Sequence, residues 1–272
     1  MKKHNLKTTI LSNRQVAEDH YLLYCDCPEI ATSALPGQFI HVLFDQGSGL
    51  LLRRPFTIYS VEGTQISMLY QVIGEGTSIL SRMCAGDSLQ VLGPLGNPFT
   101  IDESLDLAVV VGGGAGIASL MLLVSALQKR KIRTDVLVGA MNQARLLSMA
   151  DLQKIGIQSQ IATDNGSTGH HGFVTELLLT TLAQQNAQLP TVFTCGPYGM
   201  LKAVVEICQQ FNVLCQVAME NRMGCALGVC LGCVCKVRLE GEDQDQSGDP
   251  LYEYQRVCIE GPVFLSQQII WD

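Results

Sequence analysis

Residues 107–117 read Leu-Ala-Val-Val-Val-Gly-Gly-Gly-Ala-Gly-Ile, and this stretch decides the fold of the middle of the chain. Its apolar first half predicts a strand buried on both faces, and the glycines predict a tight turn into a helix. Glycines at such a turn let backbone N–H groups approach a pyrophosphate at the helix N-terminus. A purely structural turn is the alternative. The candidate nucleotide-binding residues here are Gly112, Gly113, Gly114 and Gly116.

The same alternation continues toward the C-terminus. Further buried strands are predicted at 135–140, 158–163 and 191–194, with helices between them. Strands that alternate with helices predict a parallel sheet covered on both faces. Ligands bind at the carboxyl edge of such sheets, which adds Cys195, Gly196 and Pro197 to the candidate nucleotide-binding residues.

Toward the N-terminus the pattern changes to short alternating runs, such as 38–44 and 65–72, separated by Gly, Pro and Asp. This pattern predicts an antiparallel β domain. The segment Leu92–Pro98 is rich in residues that break strands and helices, and it predicts a domain boundary.

Two motifs in this β domain suggest a flavin site. Arg53-Arg54-Pro55-Phe56-Thr57 combines guanidinium groups for a pyrophosphate with a hydroxyl for the polar edge of the ring. A solvated arginine pair on an edge strand is the alternative. The turn Gly74-Glu75-Gly76-Thr77 can present amide N–H groups to the same pyrophosphate.

Five cysteines lie in the last fifth of the chain. Cys225, Cys230 and Cys233 have the C-x4-C-x2-C spacing of plant-type [2Fe–2S] sites, which need one more distant cysteine. Cys235 starts an alternating strand just after Cys233, so its side chain is expected to face away from the irons. We therefore expect Cys258 to be the fourth ligand and Cys235 to be a small buried hydrophobe. Gly224, Gly228 and Gly232 are expected to supply unusual backbone conformations and close approach.

Two other kinds of cysteine site are alternatives to an iron–sulfur cluster. Structural zinc is the serious rival, although Cys230 and Cys233 have no second C-x2-C pair and none of the five histidines lies near them. A disulfide framework is disfavoured because the 11 cysteines are unevenly spread and no secretory signal is evident. The other thiols are expected to be ordinary core or surface thiols of a reducing compartment, namely Cys25, Cys27, Cys84, Cys208 and Cys215.

Composition narrows the function further. The net charge of −7 over 272 residues disfavours a nucleic-acid partner. Hydrophobic residues make up 47% and charged residues 16%, which suggests that partner subunits cover part of the surface. Residues 107–127 carry no charge and have the length of a membrane span, but the central glycines favour a strand, a turn and a helix. We expect a cytoplasmic protein, with the acidic run Glu240–Asp249 as a solvated loop.

The order of these motifs resembles the ferredoxin–NADP reductase superfamily over essentially the whole chain. More narrowly, the chain is similar to the electron-transfer subunits of bacterial dihydroorotate dehydrogenase B, and Val257–Phe264 is among the more specific parts of the match. The resemblance implies a multi-domain β plus α/β fold. Its parts are an FAD-binding β-barrel (1–101), a Rossmann-like NAD-binding domain (102–219) and a [2Fe–2S] domain (220–272).

The resemblance also implies cofactors and a partner. The cofactors are FAD, a [2Fe–2S] cluster and NAD(H), and the partner is an FMN-containing catalytic subunit that oxidises dihydroorotate, in a heterotetramer with two copies of each subunit. Nicotinamide carries a hydride and the cluster single electrons, so FAD belongs between them. No general base for substrate chemistry is evident in this chain. The FAD-binding set that follows is Arg53, Arg54, Pro55, Phe56, Thr57, Leu69, Tyr70, Gln71, Gly76 and Thr77.

Two positions depart from the family pattern. Gln71 stands where an arginine is common, and residues 117–119 lack the usual proline. The alternatives are a small subunit of an NADH-dependent ferredoxin:NADP oxidoreductase or of a sulfide dehydrogenase, and a zinc-stabilised binding module without a redox role. Four cysteines argue against the ferredoxin:NADP subunit, where an aspartate is expected as one cluster ligand.

Overall fold

The computed structural model describes residues 2–43, 49–185, 189–239 and 251–271. The predicted acidic loop at 240–249 lies outside the described residues. In the described part the strands form two seven-stranded sheets and one two-stranded sheet. Their order along the chain is β first and then α/β, as the sequence predicts, and a small two-stranded antiparallel sheet follows.

The first sheet is antiparallel and curls into a half-barrel. Its strands are β1 (His4–Ala17), β2 (His20–Asp26), β3 (Phe39–Leu43), β4 (Arg54–Thr57), β5 (Ser60–Glu62), β6 (Gln65–Gln71) and β7 (Ser88–Leu95). They lie in the order β4-β3-β7-β1-β2-β6-β5, so β4 and β5 are the edge strands. Two short helices, α1 (Pro28–Ala31) and α2 (Glu75–Leu80), connect them. The breaker-rich segment Leu92–Pro98 begins inside β7, so the predicted boundary starts within a strand.

The second sheet is parallel except for its last strand. Its strands are β8 (Leu107–Gly113), β9 (Arg133–Ala140), β10 (Gln160–Thr163), β11 (His170–His171), β12 (Thr191–Cys195), β13 (Cys215–Ala218) and β16 (Val263–Leu265). The helices are α3 (Ile117–Lys129), α4 (Met149–Lys154), α5 (Val174–Ala183) and α6 (Tyr198–Gln210). The spatial order is β11-β10-β9-β8-β12-β13-β16, and β16 pairs antiparallel with β13. The third sheet pairs β14 (Val234–Arg238) with β15 (Tyr252–Arg256).

Strand β8 is fully buried because it faces a core on each side. Alternate residues point to opposite faces of a strand. Val109 and Val111 belong to the core with α5 and α6, whereas Ala108 and Val110 belong to the core with α3. The prediction of a doubly covered parallel strand is confirmed.

Helix α3 is apolar almost all round, which accounts for the uncharged run at 107–127. One side of the helix packs on the second sheet. The hydrophobic core between them also contains Tyr59 and Phe99 from the first part of the chain. Leu122 packs against the half-barrel core instead. A helix buried between two layers needs no polar face. None of the helices among the described residues is long and apolar enough to span a membrane.

Hydrogen bonds between the layers fix the half-barrel against the second sheet. Buried Gln216 on β13 pairs with Thr100, its Oε1 accepting from the Thr100 N–H at 2.8 Å and its Nε2 donating to the Thr100 carbonyl at 2.7 Å. The Tyr59 hydroxyl donates to Asp151 Oδ2 at 2.7 Å. These bonds connect the first hundred residues of the chain to the second sheet and to α4.

Candidate redox site between the half-barrel and the parallel sheet

A cavity of about 980 Å³ lies between the half-barrel and the carboxyl edge of the second sheet. Such an edge is the usual ligand site of open α/β folds. Most of the predicted flavin residues and one predicted nucleotide residue line it, namely Arg54, Pro55, Phe56, Thr57, Leu69, Tyr70, Gln71, Gly76, Thr77 and Cys195. The predicted residues that do not line it are Arg53, Gly112, Gly113, Gly114, Gly116, Gly196 and Pro197.

The half-barrel wall of the cavity is built from two strands, β4 and β6, that are not neighbours in the sheet. Phe56 of β4 and Tyr70 of β6 meet edge to face, with ring centroids 5.8 Å apart. The Tyr70 hydroxyl donates to Asn13 Oδ1 at 3.1 Å, and burial raises the pKa of Tyr70. The tyrosine is therefore a neutral, fixed wall rather than a titrating group.

The side chains of the adjacent Arg53 and Arg54 make different contacts. Arg54 lines the cavity, with Nη1 donating to the Leu52 carbonyl at 2.7 Å. Arg53 donates to the carbonyls of His41 at 3.3 Å and Gln90 at 3.1 Å, and also to Asn5 Oδ1. Successive residues of an extended segment point to opposite sides, so only one of the pair can reach the cavity. Arg53 therefore braces the half-barrel and does not line the cavity.

The predicted turn at 74–77 is the start of helix α2. The Thr77 hydroxyl accepts from the N–H groups of Ile73 at 3.0 Å and Gly74 at 3.2 Å, so it closes the helix N-terminus. Gly76 is buried and lines the cavity beside it. The segment presents a helix N-terminus to the cavity, where an anion is favoured.

The four glycines at the end of β8 and in the turn that follows it have different roles. A Cβ at Gly116 would lie 2.5 Å from the Cys195 carbonyl oxygen, and one at Gly113 would lie 2.3 Å from Met200 Sδ. Gly112 is restricted similarly by Ile117. Gly114 is different because its φ is +54° and a Cβ there would meet nothing within 4 Å. Three of these glycines are therefore required by packing, and only Gly114 borders open space that a ligand could enter.

Three further polar residues meet at the parallel-sheet side of the cavity. Cys195 Sγ lies 3.8 Å from Glu220 Oε1, and the Ser119 hydroxyl is hydrogen-bonded to the same thiol. Burial and the nearby carboxyl group raise the pKa of Cys195. The exposed surface of Glu220 faces the cavity, and the surrounding protein raises the pKa of its carboxyl group.

Glu220 and Ser119 were missing from the predicted set. Glu220 follows β13 by two residues, and the carboxyl-edge rule that selected Cys195 would have selected it as well. Ser119 sits in the first turn of α3 and gives no comparable signal in the sequence.

The cluster loop, residues 224–233, starts directly after the cavity wall. Its wall residues are Met219, Glu220, Asn221, Arg222 and Met223. The thiols of the four predicted ligands fall into two neighbouring pairs, Cys225 with Cys230 and Cys233 with Cys258. Each iron of a cysteine-ligated [2Fe–2S] cluster takes two thiolates, so two pairs fit this cluster.

The environment of each pair suits cation binding. Partial burial acts to raise the pKa of Cys225, but N–H groups of Leu227, Cys230 and Val229 outweigh it and lower the pKa to about 6. Burial and the neighbouring Cys233 thiol raise the pKa of Cys258 to about 12. A buried thiol of this kind becomes a thiolate only with a compensating cation, which iron supplies.

Among the described residues, no three His, Cys, Asp or Glu side chains are placed to share one metal ion. Structural zinc needs four ligands around a single ion, whereas a [2Fe–2S] cluster takes two thiolates on each iron. Cys235 lies on β14 and packs against the adjoining apolar core, where burial raises its pKa to about 11. Cys235 is only partly buried there, and its role as a small hydrophobe outside the ligand set stays a prediction. All eleven cysteines are free thiols. Among the five that were expected to be ordinary thiols, only Cys84 is exposed, and Cys25, Cys27, Cys208 and Cys215 are buried.

The glycines of the cluster loop do not all act as expected. Gly228 has a φ of +76°, but the other left-handed residues of the loop are Ala226 and Leu231. Gly224 and Gly232 instead bring the backbone near Cys230, where added Cβ atoms would lie 3.4 and 3.5 Å from Sγ. Only Gly228 combines the unusual conformation with the close approach.

Comparison with known proteins agrees with this geometry. Residues 220–270 match the family model of the iron–sulfur cluster binding domain of dihydroorotate dehydrogenase B. A chain of the NADH-dependent reduced ferredoxin–NADP oxidoreductase has the same fold, with a TM-score of 0.79 at 24% identity, covering 97% of this chain and 90% of that one.

Two curated relatives are more similar in sequence, and both are named dihydroorotate dehydrogenase B (NAD(+)), electron transfer subunit. The protein of Caldanaerobacter subterraneus subsp. tengcongensis is 36% identical over 98% of each chain. The protein of Desulforamulus reducens is 34% identical over 97% of each chain. The chain therefore belongs to the family of dihydroorotate dehydrogenase B electron-transfer subunits.

Proposed function

We propose that this chain is the electron-transfer subunit of an NAD-linked dihydroorotate dehydrogenase, acting in pyrimidine biosynthesis in the cytoplasm. FAD occupies the cavity, NAD(H) binds at the carboxyl edge of the second sheet, and Cys225, Cys230, Cys233 and Cys258 hold a [2Fe–2S] cluster. When bound, FAD exchanges a hydride with nicotinamide and single electrons with the cluster. Dihydroorotate is oxidised on the FMN of a separate catalytic subunit.

The observation that carries the proposal is the continuity of the cavity with the cluster loop. Arg54 and Thr57 on the half-barrel, Cys195 on the second sheet and Met223 before the cluster loop line one cavity. A flavin held there is in reach of both a nucleotide at the sheet edge and the first cluster cysteine, two residues after Met223.

Each wall of the cavity has a defined part in flavin binding. Arg54 supplies a guanidinium for the pyrophosphate, and the N-terminus of α2 adds backbone N–H groups beside Gly76. Thr57 and the Tyr70 ring face the flavin body. Gln71 replaces a common family arginine, so Arg54 carries more of the phosphate binding in this chain.

The cluster loop also supplies a docking surface for the catalytic subunit. Val229 is 80% exposed and Leu231 is 61% exposed, and Cys230 between them is exposed as well. Large aliphatic side chains exposed around a redox centre fit a partner that excludes water there. This surface supports assembly with the FMN subunit, two copies of each.

The domain limits 1–101, 102–219 and 220–272 are part of the proposal. They separate the half-barrel, which forms one wall of the flavin cavity, from the second sheet, whose carboxyl edge binds the nucleotide, and from the region that contains the cluster loop. Because β16 returns to the second sheet, the third region is proposed to fold on the second rather than alone.

Reconstitution tests the proposal. The purified chain is mixed with an FMN-containing dihydroorotate dehydrogenase catalytic subunit, and NADH formation from dihydroorotate and NAD⁺ is followed. NADH forms only when both subunits are present if the proposal is correct. The catalytic subunit alone should still reduce an artificial dye. Failure of NAD⁺ reduction by a brown, cluster-loaded complex, with ferredoxin or NADP⁺ accepted instead, would favour the ferredoxin:NADP oxidoreductase class.

A further inference from the structure

The turn that carries Cys258 is closed by one residue. The Arg256 carbonyl accepts hydrogen bonds from the N–H groups of Ile259 at 3.0 Å, Glu260 at 2.9 Å and Gly261 at 3.3 Å. The next residue, Val257, donates its N–H to the Cys233 carbonyl at 2.8 Å. The backbone therefore fixes Cys258 relative to Cys233, and the Gly228 N–H donates to the Cys258 sulfur from the first half of the cluster loop.

The Arg256 side chain adds a second link between the Cys258 turn and the first half of the cluster loop. Its Nε donates to Glu260 Oε2 at 3.0 Å, and its Nη2 donates to Glu260 Oε1. The Arg256 N–H also donates to Glu260 Oε2, at 2.7 Å. With the guanidinium held by Glu260, the remaining Nη1 donates to the Gly228 carbonyl at 3.0 Å. Gly228 lies between Cys225 and Cys230, so one side chain joins the two cysteine-bearing segments.

This contact is tightly packed. A Cβ at Gly228 would lie 2.8 Å from Ile259 Cγ1 and 3.0 Å from Arg256 Nη1, and the residue has a φ of +76°. The loop has therefore closed onto the Cys258 turn as far as a glycine permits. Glu260 is also anchored from the half-barrel, because Asn97 Nδ2 donates to its carbonyl at 2.7 Å.

We propose that Arg256 and Glu260 form a positioning pair that holds the cluster loop onto the Cys258 turn, and that their opposite charges adjust the reduction potential of the cluster. The inference rests on the proposed function, since it assumes that the four cysteines hold a [2Fe–2S] cluster. It goes further by assigning roles to two residues that are not cluster ligands.

The charges act in opposite directions. Reduction adds one negative charge to the cluster, so a nearby cation favours the reduced state and a nearby carboxylate disfavours it. The Arg256 guanidinium interacts electrostatically with the Cys233 and Cys258 sulfurs. Both side chains are only partly buried, at 35% and 28% exposure, so solvent moderates each effect without removing it.

The experiment uses the purified protein with its cofactors and four variants. Arg256→Ala removes the charge and the hydrogen bonds, Arg256→Lys keeps the charge but loses the two-pronged geometry, and Glu260→Gln removes the opposite charge. Arg238→Ala is the matched control, because Arg238 is an exposed arginine on the paired strand of the same sheet. Iron and sulfide per FAD, the rate of iron loss to a chelator, and the cluster midpoint potential by EPR titration are measured.

The expected shifts differ in sign. Arg256→Ala lowers the equilibrium constant for cluster reduction up to about tenfold, which is about 59 mV for one electron, and speeds iron loss about tenfold. Arg256→Lys speeds iron loss but keeps the potential near that of the wild type. Glu260→Gln raises the equilibrium constant about threefold, and Arg238→Ala changes neither property.

Identical potentials in wild type, Arg256→Ala and Glu260→Gln, or shifts of the same sign in both variants, would overturn the electrostatic role. Wild-type iron-loss rates in both Arg256 variants would overturn the positioning role. If the Arg256→Ala protein retains FAD but holds no cluster, the loss of the cluster supports the positioning role. The midpoint potentials of Glu260→Gln and Arg256→Lys then test the electrostatic role. A wild-type protein without any [2Fe–2S] cluster would instead refute the proposed function.

Discussion

The cluster loop and the cavity differ in how their residues are distributed along the chain. The four cluster cysteines lie between residues 225 and 258, and ten residues carry three of them. The cavity wall runs from Gly37 to Pro262 and combines two sheets with the segment after β13. The loop is held by its own backbone and one arginine, whereas the cavity depends on contacts between distant layers.

This difference predicts different responses to substitution. Because all four thiolates hold one cluster, we expect the replacement of a single cysteine ligand to remove the whole cluster. A cavity with many lining residues should lose affinity in steps, because each residue contributes a share of the binding free energy. The predictions below test this contrast, from the largest expected effect to the smallest.

Cys258→Ser should abolish the cluster, because it removes one of only two thiols in its pair. Cys235→Ser is the matched control, since Cys235 lies on β14 and packs into the apolar core. We expect iron content and the EPR signal to be lost in the first variant and kept in the second, with FAD bound in both. A cluster retained in Cys258→Ser and lost in Cys235→Ser would reverse the ligand assignment.

Gly116→Ala should reduce NADH-dependent flavin reduction about 100-fold, the cost of a misplacement of roughly 1 Å. The added Cβ would lie 2.5 Å from the Cys195 carbonyl oxygen, and the backbone must move apart. Stopped-flow absorbance gives the rate, with reduction by dithionite as the check that FAD is intact.

Gly114→Ala separates packing from ligand approach. Its Cβ meets nothing within 4 Å, but its φ of +54° is strained for alanine by about 1–2 kcal/mol. We expect the apparent KM for NADH to rise about tenfold while the flavin stays bound. An unchanged KM would mean that this turn is structural only.

Arg54→Ala should weaken FAD binding about 10- to 100-fold, the loss of one charge-assisted hydrogen bond of about 1.5–3 kcal/mol. Arg53→Ala should leave the FAD dissociation constant within about twofold, yet lower the free energy of unfolding by about 1–3 kcal/mol, because the His41 and Gln90 carbonyls lose their donor. Fluorescence titration and urea unfolding measure the two quantities. Equal effects of both variants on FAD would restore the adjacent pair as flavin ligands.

Tyr59→Phe should give the smallest effect, a loss of about 1 kcal/mol in the free energy of unfolding. The substitution removes the hydrogen bond from the Tyr59 hydroxyl to Asp151 that ties the half-barrel to α4. Tyr24→Phe, against the same core, is the control. A loss of FAD affinity without a loss of stability would show that Tyr59 acts on the cavity directly.

The sequence predicted the parts of this molecule that local patterns determine. The apolar strand from residue 107 and the turn into helix α3 depend on residues close together in the chain, although the strand continues through Gly112 and Gly113, which were predicted in the turn. The cysteine spacing is equally local, and the ligand set that it indicates stays a prediction. The shape of the cluster loop was harder to predict, because Ala226 and Leu231 adopt left-handed conformations that their residue types do not indicate.

The features that the sequence did not predict depend on contacts between residues that are far apart in the chain. Adjacent arginines look equivalent in sequence, and only the extended geometry around Arg53 sends that side chain to the His41 and Gln90 carbonyls. Glu220 becomes a cavity residue because β13 ends beside β12. The link from Arg256 to Gly228 joins residues 28 positions apart. Such pairs arise from tertiary packing, which hydrophobic periodicity does not encode.

The most direct test of the central claim is an anaerobic NADH titration of the purified chain without its partner, followed by visible absorption and EPR. The account predicts a brown-yellow protein in which NADH bleaches the flavin band and then produces the EPR signal of a reduced [2Fe–2S] cluster. A colourless protein would contradict it. So would a coloured protein in which dithionite reduces both centres but NADH reduces neither.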